Sequence, residues 1–187
     1  MALWGNSDTD EAKPKYLTVA EKKQVYATAA GWVAEPGLST GNPDAEPEVL
    51  VAIRSLATLV ANADITEIEF VTTAIAADTA AALQVLVRFN EAVDVTGTPQ
   101  LTVTNDSAGT ITSVNIVLPY LSGTGTNEIL FSHVWSAGEL LATDVVSVGA
   151  NATALNGGTI KDAGTAVVST ITNLAAIGEA AGTITVS

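Results

Sequence analysis

The sequence predicts an all-β protein whose larger part is a two-layer sandwich. Ala, Thr, Val and Gly dominate, whereas aromatic residues make up only 5% of the 187 residues. Thr and Val favour strands because their branched Cβ atoms suit a pleated surface. Short runs that alternate apolar and polar residues are separated by turns rich in Gly, Asn and Asp. About seven or eight such strands in roughly 120 residues predict an Ig-like β-sandwich.

A change in charge divides the chain near residue 62. Four of the seven basic residues precede residue 24: Lys13, Lys15, Lys22 and Lys23. From Val71 onward only Arg88 and Lys161 are basic. We therefore expect an N-terminal docking arm or small β subdomain over residues 1–62 and an Ig-like β-sandwich over residues 63–187. Because the first part is too short to bury much core alone, it should pack on the second part or on another chain.

The N-terminal part contains one helix signal and two strand signals. Thr18 and Glu21 have the spacing of a capping box, which predicts a short helix over residues 19–26. A strand over residues 24–33 is the rival interpretation. Residues 48–53 form an apolar run that predicts a further strand.

Alternating runs predict the strands of the sandwich. In residues 65–71, Ile68 and Phe70 share one face while two Glu residues point the other way. Residues 82–89 place Leu83, Val85, Val87 and Phe89 on one face, and Arg88 extends to solvent from the other. Further strands are expected at residues 99–103, 111–118, 129–135 and 182–186, with turns at residues 105–109, 122–127, 156–158 and 162–164.

Composition excludes several classes of function. With no Cys, the chain has no disulfide, thiolate metal site or Cys nucleophile. With 20 acidic and 7 basic residues, its net charge of -13 argues against a nucleic-acid partner. No apolar run reaches the roughly 18 residues of a transmembrane helix, and residues 1–8 lack the features of a signal peptide. We therefore expect neither a nucleic-acid partner nor a membrane partner.

Candidate catalytic and metal-binding residues are few. The single histidine, His133, lies in an alternating apolar run and is interpreted as a core or interface residue. Glu91, Asp94 and Asp106 are the nearest candidates for Ca²⁺, but a solvated surface is favoured because no Asp-x-Asp-x-Asp series exists. Lys161 lies in a turn, which disfavours an isopeptide bond. The sequence thus predicts no catalytic residue, no cofactor and no metal.

Four segments of the second part resemble a known repeat. They are residues 89–101 (FNEAVDVTGTPQL), 120–127 (YLSGTGTN), 129–131 (ILF) and 154–164 (ALNGGTIKDAG). They resemble the bacterial Ig-like repeats of large surface adhesins and swimming-type cell-surface proteins, over about residues 64–168. The resemblance implies a seven-stranded sandwich that spaces or adheres and is not an enzyme. This chain has one copy, whereas that family usually has tandem copies.

The N-terminal part resembles a different group. Residues 1–6 (MALWGN), 13–17 (KPKYL), 31–33 (GWV) and 48–53 (EVLVAI) are similar to short structural proteins of T4-like marine phages, including cyanophages. Several of those proteins join such a part to one Ig-like domain. The resemblance implies a virion protein, assembled in the host cytoplasm, that decorates the capsid. Its partner would be the major capsid protein or another virion protein, and symmetric copies allow a homo-oligomer.

Large aromatic residues in a segment with little core often anchor interfaces. The predicted docking residues are Trp4, Tyr16, Tyr26, Trp32, Val49 and Val51. Local packing is the alternative for the aromatic residues, and strand addition is the expected mode for the two valines. The four lysines could complement an acidic capsid surface, with simple solubility as the alternative.

Two other functions remain open from the sequence. One is a tail-fibre or receptor-binding module that recognises host carbohydrate, which would require only a weak contact with the host surface. The other is a fragment of a bacterial adhesin. The number of copies per particle separates a capsid role from a tail role.

Overall fold

The computed structural model describes residues 12–60, 62–77, 79–106, 114–136 and 140–187. The N-terminal part contains α1 (Val19–Lys23), β1 (Val25–Thr28), β2 (Gly31–Ala34), β3 (Glu48–Ala52) and a 3₁₀ turn at Leu56–Thr58. The second part contains β4 (Ile65–Phe70), β5 (Ala82–Thr96), β6 (Gln100–Asp106), β7 (Val114–Ser122), β8 (Thr126–Val134), β9 (Val145–Ala154), β10 (Thr159–Asp162), α2 (Ala175–Ala180) and β11 (Thr183–Thr185).

The second part is a sandwich of antiparallel strands. One layer places β5 between β4 and β8, and β10 pairs with the second half of β5. The other layer runs in the order β7, β6, β9 and β11. The end of β7 joins the layers, since Tyr120 and Ser122 pair with β8. Eight strands in this part of the described chain confirm the predicted all-β sandwich.

The apolar faces of both layers meet in one core. Its large buried members come from both layers: Ile68, Leu83, Phe89, Leu101, Leu118, Ile129, Phe131, Trp135 and Leu140. Each such side chain contributes about 1.5–3 kcal/mol when fully buried. Trp135 is a core residue as expected, and its indole N–H donates to the Thr79 carbonyl at 3.0 Å. In a chain without Cys, this core supplies the stability that disulfides supply in other small domains.

The predicted strand at residues 65–71 is confirmed as β4, but a bulge changes which of its residues face the core. The register shifts between Ile65 and Glu67. This bulge lets both Ile65 and Ile68 point inward, although they are three positions apart and strict alternation would place them on opposite faces. Glu67 and Glu69 lie on the outer side, beside Arg88 of β5.

The run predicted at residues 82–89 is the first half of a longer strand. Its alternation holds through Phe89, after which Asn90 and Glu91 are also buried. The N-terminal part accounts for this change, because β1 pairs in parallel with β5 through Ala27 and Glu91. The Asn90 side chain accepts the backbone N–H of Asp64 at 2.7 Å. The two parts of the chain therefore share a sheet.

Both alternatives for residues 19–33 occur, one after the other. The capping box is present: the Thr18 hydroxyl accepts the Glu21 N–H at 3.3 Å, and the Glu21 carboxylate accepts the Thr18 N–H at 2.7 Å. The helix ends at Lys23, earlier than predicted, and the hairpin of β1 and β2 follows. The strand expected at residues 48–53 is β3, which pairs with β2.

Gly31 sets the close approach of β2 and β3. Its φ of 135° lies in the region that favours glycine. A Cβ atom at this position would collide with the carbonyl oxygen of Val51. A glycine is therefore required where the β2–β3 pairing begins.

Candidate functional site in the N-terminal part

The structure separates the predicted aromatic docking residues. Trp32 is 1% exposed and belongs to a small core of the N-terminal part, and Tyr26 is 8% exposed. The expectation that these two side chains are docking anchors is therefore corrected, because local packing already buries them. Trp4 lies outside the described residues. Tyr16 remains, with 71% of its surface exposed just before α1.

The two predicted valines lie on β3. Val49 is 47% exposed, and Val51 is half-buried. β3 is the last strand of the continuous sheet path, and β2 is its only strand partner among the described residues. An edge strand of this kind presents unpaired backbone N–H and C=O groups. Of the predicted docking residues that the structure describes, Tyr16 and Val49 are thus exposed.

The lysines do not form the broad basic surface expected from the sequence. Lys13 is 2% exposed; its ammonium donates to the Lys22 carbonyl at 2.7 Å and lies 5.9 Å from the centre of the Trp32 ring. Lys23 pairs with Glu67 at 2.5 Å. Of the four lysines, Lys15 is exposed. The expected charge complementarity is therefore weaker than the sequence indicates.

A charged cluster fastens the N-terminal part to the sandwich. We call it the Arg88 cluster, and it comprises Lys23, Glu35, Glu67, Glu69, Arg88 and Glu128. The Arg88 guanidinium lies 2.6 Å from Glu128, 2.9 Å from Glu67 and 3.1 Å from Glu69. It also lies 3.6 Å from Glu35, which follows β2. Arg88, expected to extend freely to solvent, instead has a side chain that is 15% exposed.

Glu35 is the acidic residue that the N-terminal part inserts into this cluster. Its carboxylate accepts the Asn127 side-chain N–H at 2.6 Å, and only 10% of its side chain is exposed. Burial raises the pKa of Glu35 to about 7; Glu128 adds to the rise, while Asn127 and Arg88 oppose it. Burial also raises the pKa of the neighbouring Tyr26, and Glu35 and Glu128 add to that rise. Glu35 therefore binds a proton close to neutral pH.

Replacing Glu35 by Gln should flatten part of the pH dependence of stability. The folded pKa of about 7 exceeds the ordinary value of 4.5. The contribution of Glu35 is thus fully present below about pH 4.5 and is lost as the pH rises to about 7. Urea unfolding between pH 4 and pH 8 measures it: the free-energy difference between Glu35→Gln and wild type should move in favour of the variant as pH rises. The control is the exposed Glu179→Gln on α2, and equal pH slopes for all three proteins would contradict the assignment.

The candidate catalytic and calcium-binding residues are not members of the Arg88 cluster. His133 is half-buried on β8, and Asp94 and Asp106 are exposed. Glu91 is 1% exposed, so the solvated-surface interpretation is wrong for this residue. Within the described ranges, no group of three or more His, Asp or Glu residues is placed to hold a metal ion. An open groove of about 480 Å³ lies between α1 and the Arg88 cluster, and its charged walls pair with one another.

Comparisons with known proteins gave no significant match to a protein-family model, a curated protein or a solved structure. In the part of the chain that the structure describes, no helix has the length and apolar character to span a membrane.

Proposed function

We propose that this chain is a non-enzymatic structural protein of a phage virion. In this proposal it decorates or cements the capsid through its N-terminal part and exposes its Ig-like sandwich. The observation that carries the proposal is the exposure of Tyr16, which lies in the N-terminal part and outside the core of the sandwich. The resemblance of the N-terminal segments to phage structural proteins is the reason for proposing a phage virion as the particle.

Tyr16 has the properties of a docking side chain. A tyrosine buries a large ring at low cost in conformational entropy and keeps a hydroxyl for a hydrogen bond. Here Tyr16 is 71% exposed, and Val19, three positions later in α1, is 74% exposed. The capping box fixes the start of α1, and Leu17, the residue after Tyr16, packs against the small core that contains Trp32. The partner is the major capsid protein or another virion protein.

The distribution of charge fits an outward-facing sandwich. The chain carries a net charge of -13, and from Val71 onward its sequence has nine acidic residues against Arg88 and Lys161. A negative outer surface keeps neighbouring particles apart and soluble. Residues 1–62 are closer to neutral, with five basic and eight acidic residues, so the net charge is concentrated in the sandwich.

The test is binding to particles from which the protein has been removed. Tyr16→Ala should weaken binding about 10-fold or more, because a truncated anchor costs over 1 kcal/mol. Its free energy of unfolding should change by less than about 0.5 kcal/mol, since the side chain is exposed. Leu121→Ala, at a 56% exposed residue of β7, is the matched control and should bind as wild type. Full binding by Tyr16→Ala would rule out this docking site.

A further inference from the structure

We propose that β3 pairs antiparallel with β3 of a second copy of this chain, which makes the protein a symmetric dimer in solution. The inference goes beyond the virion role, because it concerns the free protein. It begins from the edge itself: β3 ends the sheet path, and among the described residues its only strand partner is β2. The N–H of Ile53 donates to the Ala30 carbonyl at 3.1 Å, on the side of β2. Because backbone groups alternate in direction along a strand, the N–H and C=O of the preceding residue, Ala52, point away from β2.

The small core of the N-terminal part is incompletely covered on the side of β3. Its buried members are Ala12, Val25, Ala27, Trp32, Ala34, Leu56 and Val60. Leu50, Val51 and Ile53 pack against this core but remain only partly buried, and Val49 is 47% exposed. A second β3 would remove part of this apolar surface from water, which stabilises the pair.

The charges at the two ends of β3 favour pairing with a second copy of the same strand, in the antiparallel orientation. Glu46 and Glu48 lie at the start of the strand, and Arg54 follows its end. Arg54 is exposed and makes no ion pair within the described ranges. Antiparallel pairing brings each Arg54 against the acidic end of the other copy, whereas parallel pairing would oppose like charges. β3 is thus complementary to itself in one orientation.

Several features limit the assembly to a dimer. β3 has only five residues, Pro47 lacks a backbone donor, and the register shifts between Trp32 and Val33. These features keep the pairing short. An isologous pair also consumes the edge of both copies, so the contact closes and cannot extend into a filament.

Sedimentation velocity of the full chain, from about 1 to 500 μM, tests the inference. The wild type should show a dimer that grows with concentration. Arg54→Glu and Glu46→Lys should each weaken the dimer about 10-fold, and the double variant Glu46→Lys/Arg54→Glu should restore it to within about 3-fold of wild type.

Lys15→Glu is the control, because it changes the net charge as much as Arg54→Glu does at an exposed residue outside β3. It should leave the dimer unchanged. A monomer at every concentration, equal weakening by Lys15→Glu, or a double variant that fails to restore the dimer would each overturn the inference. No particle enters this measurement, so its failure is distinguishable from failure of the docking test on Tyr16.

Discussion

Replacing Trp32 by Ala should destabilise the N-terminal part by about 3–5 kcal/mol, as large-to-small changes at buried tryptophans do. Trp32 is 1% exposed and is the largest side chain of the small core, which has few other large residues with which to fill the cavity. Hydrogen exchange followed by mass spectrometry measures the effect locally. Amides of β1, β2 and β3 should exchange faster, while those of β6 and β9 keep their protection.

The control for this experiment is Trp32→Phe, which keeps an aromatic ring and should lose much less protection. Tyr16→Ala provides a second comparison, because it removes an exposed aromatic ring from the same part. Two results would contradict the account: unchanged exchange in β1 to β3, or equal loss of protection in β6 and β9. The second would mean that the N-terminal part and the sandwich unfold as one unit.

Arg88→Ala should destabilise the folded chain by about 2–4 kcal/mol at pH 7. It leaves Glu67, Glu69 and Glu128 close together without their common cation, and removing one partner of a buried ion pair costs up to about 5 kcal/mol. Lys23 offsets part of this repulsion through Glu67. The loss should be smaller at pH 5 than at pH 8, because Glu35, whose pKa is about 7, is protonated at pH 5 and then has no charge for Arg88 to neutralise. Urea unfolding at both pH values measures it.

Arg54→Ala is the matched control, because this arginine is exposed and unpaired within the described part of the chain. Its effect should stay within about 0.5 kcal/mol. Arg88→Lys keeps the charge but loses the planar fork of donors, so it should fall between wild type and Arg88→Ala. A loss below 1 kcal/mol for Arg88→Ala, or one that does not depend on pH, would contradict the role of the cluster.

Local patterns were sufficient for several elements of the fold. The alternation of apolar residues predicted β4, β5 and β8, and the capping box at Thr18 predicted the start of α1. β9 and α2 were not predicted. In β9, Gly149 and Asn151 interrupt the alternation, and Asn151 has a φ of 51°. α2 has no side-chain hydrogen bond at its N-cap and contains Gly178, so its sequence carries no start signal.

The candidate site was less accessible to sequence analysis, because it depends on contacts between distant segments. Nothing local distinguishes the buried Trp32 from the exposed Tyr16, since burial follows from how β1 to β3 pack. The Arg88 cluster likewise depends on the register that sets Glu67 and Glu128 on either side of Arg88. The outward-pointing Glu residues of β4 were the only signal of it. The pKa of Glu35 follows from burial that no local pattern reveals.

Cryo-electron microscopy of virus particles isolated from cultures that express this sequence tests the proposed capsid role most directly. The account predicts density for the sandwich across the capsid surface, in hundreds of symmetric copies, with the Tyr16 turn against the capsid. Absence of the chain from the particle, or its presence in about six or twelve copies on the tail, would contradict the proposed capsid role.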